Sequence, residues 1–411
     1  MTRIQKQTLD CGTQLIVENM PGVQSAAINW LVPAGHAHDP QIKIGRAAIT
    51  SEMLLRGSGD RDSRAFADAC DALGMAHAVR AGAFYMKAST IFIADRMPQV
   101  LPLFTDIVLK PRFDPDALEP ARDLALQTLA SLLDEPQQRA VLAARSRHYP
   151  EPINRSGLGT AQGLQAITLE DIKAGWQEHA RPGGSIIAIA GAVELEQVRD
   201  QLNDLLKGWT GSAAEPQIES DAPRGYAHEQ DDSNQAQIIC VHDAPPAGHK
   251  NHMLERVAVS ILSGGMSGRL FTEVREKRGL CYSVSASYRS DRDFGSVTGY
   301  VGTTPERAQE SLEVLLAEFE RLKAGAEQDE FDRALVGLKS RVVFSGESSA
   351  ARAGALASDQ HKIGKPRSLD EITAELDAIT LDALNAYLST RALGRVTIQT
   401  LGPDTLSPPE L

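Results

Sequence analysis

The histidines of AGHAHDP, His36 and His38, with Asp39 beside them, are residue types that ligate borderline divalent metals. They stand two apart in a loop-like segment with no third histidine close in sequence, so they form a partial ligand set. His249 and His252 lie three apart at the start of a predicted helix, where they share a face and are expected to be solvated. Cys11, Cys70, Cys240 and Cys281 are widely separated and contain no CxxC pair, so neither a zinc knuckle nor a redox motif is indicated. Free, buried thiols are expected, with pairing left open for an oxidising compartment.

The most distinctive stretch is SGGMSGRLFTEVREKRGLCYSVSA, residues 263–286. Gly264, Gly265 and Gly268 permit close backbone approach ahead of a helix. RLFTEVREKRG reads as that helix, closed at Gly279 by a left-handed glycine, and Cys281 to Ala286 alternates as a strand does. Further on, FGSVTGYVGTTPERA reads as another strand with turn signals at both ends.

These segments sit in a duplicated framework. Ile167-Thr-Leu-Glu-Asp171 matches Ile379-Thr-Leu-Asp-Ala383, and each is followed by a helical stretch and then a β-rich run, SIIAIAGAV or RVTIQTLGP. Pro98 and Pro305 each open an amphipathic helix, followed by a second helix near Asp114 or Asp329. Both matches recur at a spacing of about half the chain, far longer than a solenoid repeat. Gly211 to Gly225, rich in Gly, Ser, Ala, Pro and acid, reads as a linker. The expected domains are therefore 1–210, a linker at 211–225, and 226–411. Strands come first in each half, then helices, then a closing strand. That order predicts an α+β fold of two homologous sandwich halves, each a mostly antiparallel sheet covered by helices.

Composition narrows the partners. The chain has 411 residues, 42% hydrophobic and 23% charged, and a net charge of -12, which disfavours nucleic acid. No run of about eighteen apolar residues exists to span a membrane. The opening MTRIQKQTLDCG lacks the apolar run of a signal peptide, which leaves a cytoplasmic chain or one whose signal has been removed.

Segment 263–286 and the duplicated halves together resemble the insulinase and mitochondrial-processing-peptidase family, whose members bind zinc through an inverted HxxEH motif. The resemblance spans essentially the whole chain and implies one half of a clamshell. It implies that Arg275 and Tyr282, at the family's spacing, donate hydrogen bonds to a substrate carbonyl and to the oxyanion that develops on it. It also implies a substrate-binding role for Gly264 and Gly265, and a chamber where an extended peptide adds to a free sheet edge near the strand of FGSVTGYVGTTPERA.

Where the family has His, x, x, Glu, His, this chain has Ala48, Ile49, Thr50, Ser51 and Glu52, and Gln127 and Thr128 stand near the place of the third ligand, a Glu. Methyl and hydroxyl groups do not hold zinc or polarise its water. The resemblance thus implies a zinc-less subunit, inactive alone, with zinc carried by an HxxEH-bearing partner in a heterodimer that hydrolyses peptides. It also covers respiratory-complex core subunits, which keep the fold as a scaffold, so a non-catalytic structural or peptide-binding role is the alternative. Bacterial relatives of this kind imply a periplasmic location, with the cytoplasm as alternative.

Overall fold

The computed structural model describes residues 3–218 and 222–409, so Glu219, Ser220 and Asp221 of the expected linker lie outside the described residues. Thirteen strands are present among them: β1 Arg3–Thr8, β2 Gln14–Asn19, β3 Ser25–Val32, β4 Gly57–Ser58, β5 Arg61–Asp62, β6 Ala76–Ala81, β7 Met86–Ile93, β8 Ile186–Gly191, β9 Gly225–Gln230, β10 Ala236–Ala244, β11 Cys281–Ser290, β12 Gly295–Thr303 and β13 Thr397–Gly402.

The first sheet runs β1-β2-β8-β3-β7-β6 and the second β9-β13-β10-β12-β11. All neighbours are antiparallel except β2 with β8 and β9 with β13. Apart from β1 the two orders coincide element for element, including the single parallel pair made by each closing strand. The duplication read from the sequence is therefore a duplication of topology, and the fold is α+β.

Both faces of each sheet are buried along its central strands. On β2 and β3, Leu15, Val17, Ile28 and Trp30 enter the main core of the first unit, while Ile16 and Ala27 face a second layer with Ala188 of β8 and with Ala353, Leu356 and Ala357. On β10, Ile238 and Cys240 face one layer, while Ile239 and Val241 meet Ala140 and Ala144. Side chains alternate across a strand, so burial of consecutive residues requires cover on both faces.

The cover on the second face comes from unexpected places. The chain forms two compact units: Met1–Ser131 with Glu151–Glu219 and Ser345–Ser368, and Leu132–Pro150 with Ser220–Phe344 and Leu369–Leu411. These differ from contiguous domains at 1–210 and 226–411, because a helix from each half of the sequence belongs to the other unit. Helix Ser349–Ile363 buries Ser349, Arg352, Ala353, Leu356, Ala357 and Gln360, a stripe at helical period, within the first unit. Helix Pro136–His148 buries Ala140, Ala144 and His148, and its small residues permit close approach to the second sheet.

Gly295–Thr303 is bonded on both sides, by β10 and β11, so it offers no free edge. The second sheet ends in β9 on one side and in β11 on the other, and β11 is the edge strand bonded to Gly295–Thr303. All four cysteines are free thiols, Cys70 and Cys240 buried, Cys11 and Cys281 partly exposed.

Candidate functional site

Helix His252–Ser263 leads into the glycine turn. The Gly264 N–H donates to the Ser260 carbonyl at 2.7 Å, and the Gly268 N–H to the Gly265 carbonyl at 3.0 Å. A Cβ on Gly268 would stand 2.8 Å from the Leu262 carbonyl oxygen, whereas one on Gly265 would meet nothing. Close approach therefore requires glycine at 268 and not at 265. Gly264 and Gly265 line a cavity of about 160 Å³ together with Ser260, Met266 and Arg333.

The predicted helix after the turn is present but wider than an α-helix. Phe271–Glu276 is a π-helical turn, and the Lys277 N–H reaches back five residues to the Thr272 carbonyl at 2.9 Å. Such turns re-aim side chains and recur at functional sites. Gly279, at φ +61°, closes the segment as expected, with its N–H on the Arg275 carbonyl and the Leu280 N–H on the Val274 carbonyl.

Glu273 pins the turn from inside. Its carboxylate accepts from Lys277 and from Arg278, each at 2.8 Å. Those hydrogen bonds, Lys277 first, hold its carboxyl down at about 2. Because the folded value lies below the ordinary 4.5, the stabilisation is complete above pH 4.5 and is lost as pH falls through about 2. The thermal midpoint of the wild-type chain should therefore fall between pH 5 and pH 2 by more than that of Glu273→Gln. Parallel falls in differential scanning calorimetry would show that Glu273 carries no such linkage.

Arg275 and Tyr282 are brought together. The Arg275 guanidinium carbon stands 4.9 Å from the centroid of the Phe271 ring and 5.0 Å from that of Tyr282, within cation–π range of both. Among the described residues Arg275 has no carboxylate partner and the Tyr282 hydroxyl no hydrogen-bond partner. The ladder pairs Cys281 with Thr303 and Ser283 with Gly302, so Tyr282 is the extra residue of a bulge. A bulge turns its residue out of the pleat, and Tyr282 is 84% exposed. The result is a planar cation and a phenol held side by side at the start of an edge strand, with donors unspent. Phe271 was not singled out from the sequence, where a helical Phe reads as ordinary core.

The turn also rests on a network that distant sequence positions hide. Glu255, fully buried in the helix before the glycines, accepts from Arg391 at 2.8 Å and from the Tyr387 hydroxyl, and Arg391 meets His242 Nε2 at 3.0 Å. Burial pushes the His242 imidazole down to about 4, so it is neutral beside the guanidinium. His252, expected to be solvated, instead places Nδ1 2.8 Å from the Tyr288 hydroxyl. His249 Nδ1 accepts from the Asn251 N–H at 3.1 Å.

In the first unit, Ala48 to Glu52 lie on helix Arg46–Met53. Thr50 and Ser51 donate their hydroxyls to the carbonyls of Arg46 and Ala48, both at 2.7 Å. Glu52 accepts from Arg56 at 2.8 Å, and Thr128 donates to the Leu124 carbonyl at 2.8 Å. An alanine methyl, two inward-bonded hydroxyls and one arginine-paired carboxylate do not make the donor set of a zinc site. The residues of this chain do not fit the metal that HxxEH binds.

His36 and His38 form no metal set with Asp39 either. The His38 ring stacks on His179 at 4.1 Å, and burial, with the charges of His179 and Arg46, pushes it down to about 4. Asp39 accepts from the N–H groups of Gly45 and Ala47 at 2.9 and 3.0 Å, bonding the first turn of helix Arg46–Met53.

Known proteins share the sequence pattern and the fold of this chain. Residues 14–160 match the model described as "Insulinase (Peptidase family M16)", and residues 166–338 match "Peptidase M16 inactive domain". An uncharacterized zinc protease of Mycobacterium tuberculosis is 26% identical, over 97% of this chain and 93% of that protein. The uncharacterized zinc protease YmxG of Bacillus subtilis is 24% identical, over 93% and 94%. In fold, the chain is similar to a crystal structure of a peptidase M16 inactive domain from Pseudomonas fluorescens, with TM-score 0.88, 24% identity and coverage of 99% and 100%. A chain of complex III2 from Candida albicans aligns with TM-score 0.84 at 17% identity, covering 98% of this chain and 96% of that one. With both sheets, their duplicated order and both family models in agreement, the chain belongs to the insulinase (M16) family of peptidases.

Proposed function

We propose that this chain is the zinc-less subunit of a two-chain metallopeptidase and that it supplies Arg275 and Tyr282 to the reaction. The observation that carries this reading is their pairing: a guanidinium without a counter-ion, flanked by two rings, beside a phenol turned out by a bulge. Both groups donate to a peptide carbonyl and bind more tightly the oxyanion formed on attack, and neither activates water unaided. Metal and general base would come, in this reading, from an HxxEH-bearing homologue, whose bound zinc would supply an activated water. Gly264 and Gly265 lie against the substrate chain, and the periplasm is the compartment.

The test is to purify the chain alone, with and without such a homologue, and to assay each chain and the mixture on a neutral peptide while measuring zinc. We expect no stoichiometric zinc and no hydrolysis from the chain alone, and turnover from the mixture. Zinc at one per chain together with activity in the isolated chain would overturn the reading. The likeness to a complex III2 chain favours a second reading, a scaffold that keeps the fold without chemistry. Under it the mixture's turnover is indifferent to Arg275 and Tyr282.

A further inference from the structure

Helix Pro136–His148 carries three arginines along the second sheet. Arg139 is satisfied by Glu229, and by Asp231 at 2.9 Å. Arg147 donates to the carbonyls of Arg224 and Tyr226. Arg145 differs from both. It is partly buried, its guanidinium lies 5.9 Å from the Tyr149 ring centroid, and among the described residues it has no carboxylate or carbonyl partner.

A second uncompensated cation lies on the same face. The Tyr149 hydroxyl is hydrogen-bonded to Ser296, and Ser296 of β12 stands directly opposite Arg289 of β11 in the ladder. Side chains directly opposite in an antiparallel pair project to one face. Arg289 therefore shares the face of Tyr149 and Arg145, and it too has no carboxylate partner among the described residues. Ser283, Ser285 and Ser287 follow it along this edge strand at alternate positions, all exposed. Burial lowers the Arg145 pKa, and repulsion from Arg289 lowers it further, so each guanidinium raises the cost of the other.

In a chain of net charge -12, two neighbouring arginines without a counter-ion, above a row of serine hydroxyls, form a place prepared for an anion. The edge strand connects that place to the candidate chemistry. Tyr282 is the second residue of β11 and Arg289 lies seven residues on, roughly 23 Å away at about 3.3 Å per residue.

We infer that Arg145 and Arg289 form a carboxylate-binding subsite that selects peptides bearing an acidic group about 20 Å, or six to seven extended residues, from the bond presented to Tyr282. The inference deepens the proposed function and rests on it for the link to a scissile bond, while the anion site itself does not depend on a zinc partner. The carboxylate is either that of a Glu or Asp side chain or the peptide's own C-terminus.

The isolated chain is titrated, by fluorescence anisotropy at low salt, with three labelled dodecapeptides. The first has a central Glu-Glu pair and an amidated end, the second replaces the pair with Gln-Gln, and the third is the Gln peptide with a free C-terminal carboxylate. We expect the Glu peptide, the free-carboxylate peptide, or both, to bind about tenfold more tightly than the amidated Gln peptide. Which one does so identifies the source of the carboxylate. The advantage should shrink to less than about twofold in Arg289→Glu, an exposed edge position where folding is not at stake, and in Arg145→Met. Rising salt should weaken the advantage.

Equal affinity for all three peptides, or an advantage that survives Arg289→Glu, overturns the subsite. So does equal displacement of the Glu and Gln peptides by inorganic phosphate at matched ionic strength, which would show only non-specific charge screening. A failure here leaves the zinc-partner reading intact, because that reading is tested with a neutral peptide and a second chain. A failure there leaves the binding measurement standing.

Discussion

Arg275→Ala should lower kcat of the assembled two-chain peptidase by about a hundredfold to a thousandfold, the range for loss of one oxyanion donor, with KM nearly unchanged. The guanidinium lies between Phe271 and Tyr282 and is not drawn aside by any carboxylate among the described residues, so its donors are set before substrate arrives. An interaction preorganised for charge that develops on the carbonyl stabilises the transition state more than the ground state. Tyr282→Phe should separate the two roles of the tyrosine. The ring that flanks Arg275 remains and only the hydroxyl goes, so kcat should fall by a smaller factor, on the order of tenfold to a hundredfold. Arg275→Lys keeps the charge but loses the planar face and the fork of donors, and should rescue little. Tyr282 is 84% exposed, so its substitution should leave the thermal midpoint unmoved, which keeps the kinetic result interpretable. Turnover equal to wild type in both Arg275→Ala and Tyr282→Phe, with zinc and partner in place, would leave the scaffold reading standing and remove ours.

The largest stability effect is expected at Arg352. This side chain is 1% exposed, donates to Glu18 Oε2 at 2.7 Å, and donates to the Arg367 carbonyl at 3.1 Å. Arg367 is in turn fixed by two 2.9 Å bonds to Asp359. Glu18 is fully buried on β2. Arg352→Ala strands that carboxylate in an apolar layer formed by Ile16, Ala188, Ala353 and Leu356, at a cost of about 3–5 kcal/mol. The double variant Arg352→Met, Glu18→Leu removes both charges and fills the space, and should recover most of the loss. Urea denaturation of the two single variants and the pair measures the coupling. A cost below about 1 kcal/mol for Arg352→Ala would mean that the pair is open to water in solution.

The placement of that ion pair shows where sequence reading runs out. Ser349–Ile363 announces a helix and, by its period, an apolar stripe. The stripe does not say which sheet it covers, and the sheet it covers belongs to the other half of the chain. Helix Pro136–His148 presents the same ambiguity, with alanines that fit close to any flat surface. The compact units exchange these helices because neighbours in sequence are not always neighbours in space.

What the residues determined by themselves is of two kinds. Local periodicity and turn chemistry specified strands, helices and the left-handed Gly279, because these depend on backbone sterics and on side chains a few positions apart. Residue identity specified that Ala48 offers no ligand where the family has a histidine, because no packing turns a methyl group into one. Tertiary structure alone decided the rest. The widened turn at Phe271–Glu276 and the bulge at Tyr282 bring a cation between two rings, and a ladder register sets Arg289 on the face of Arg145. Each of these is a long-range steric and electrostatic fit, and such a fit exists only once distant segments have paid the entropy of meeting.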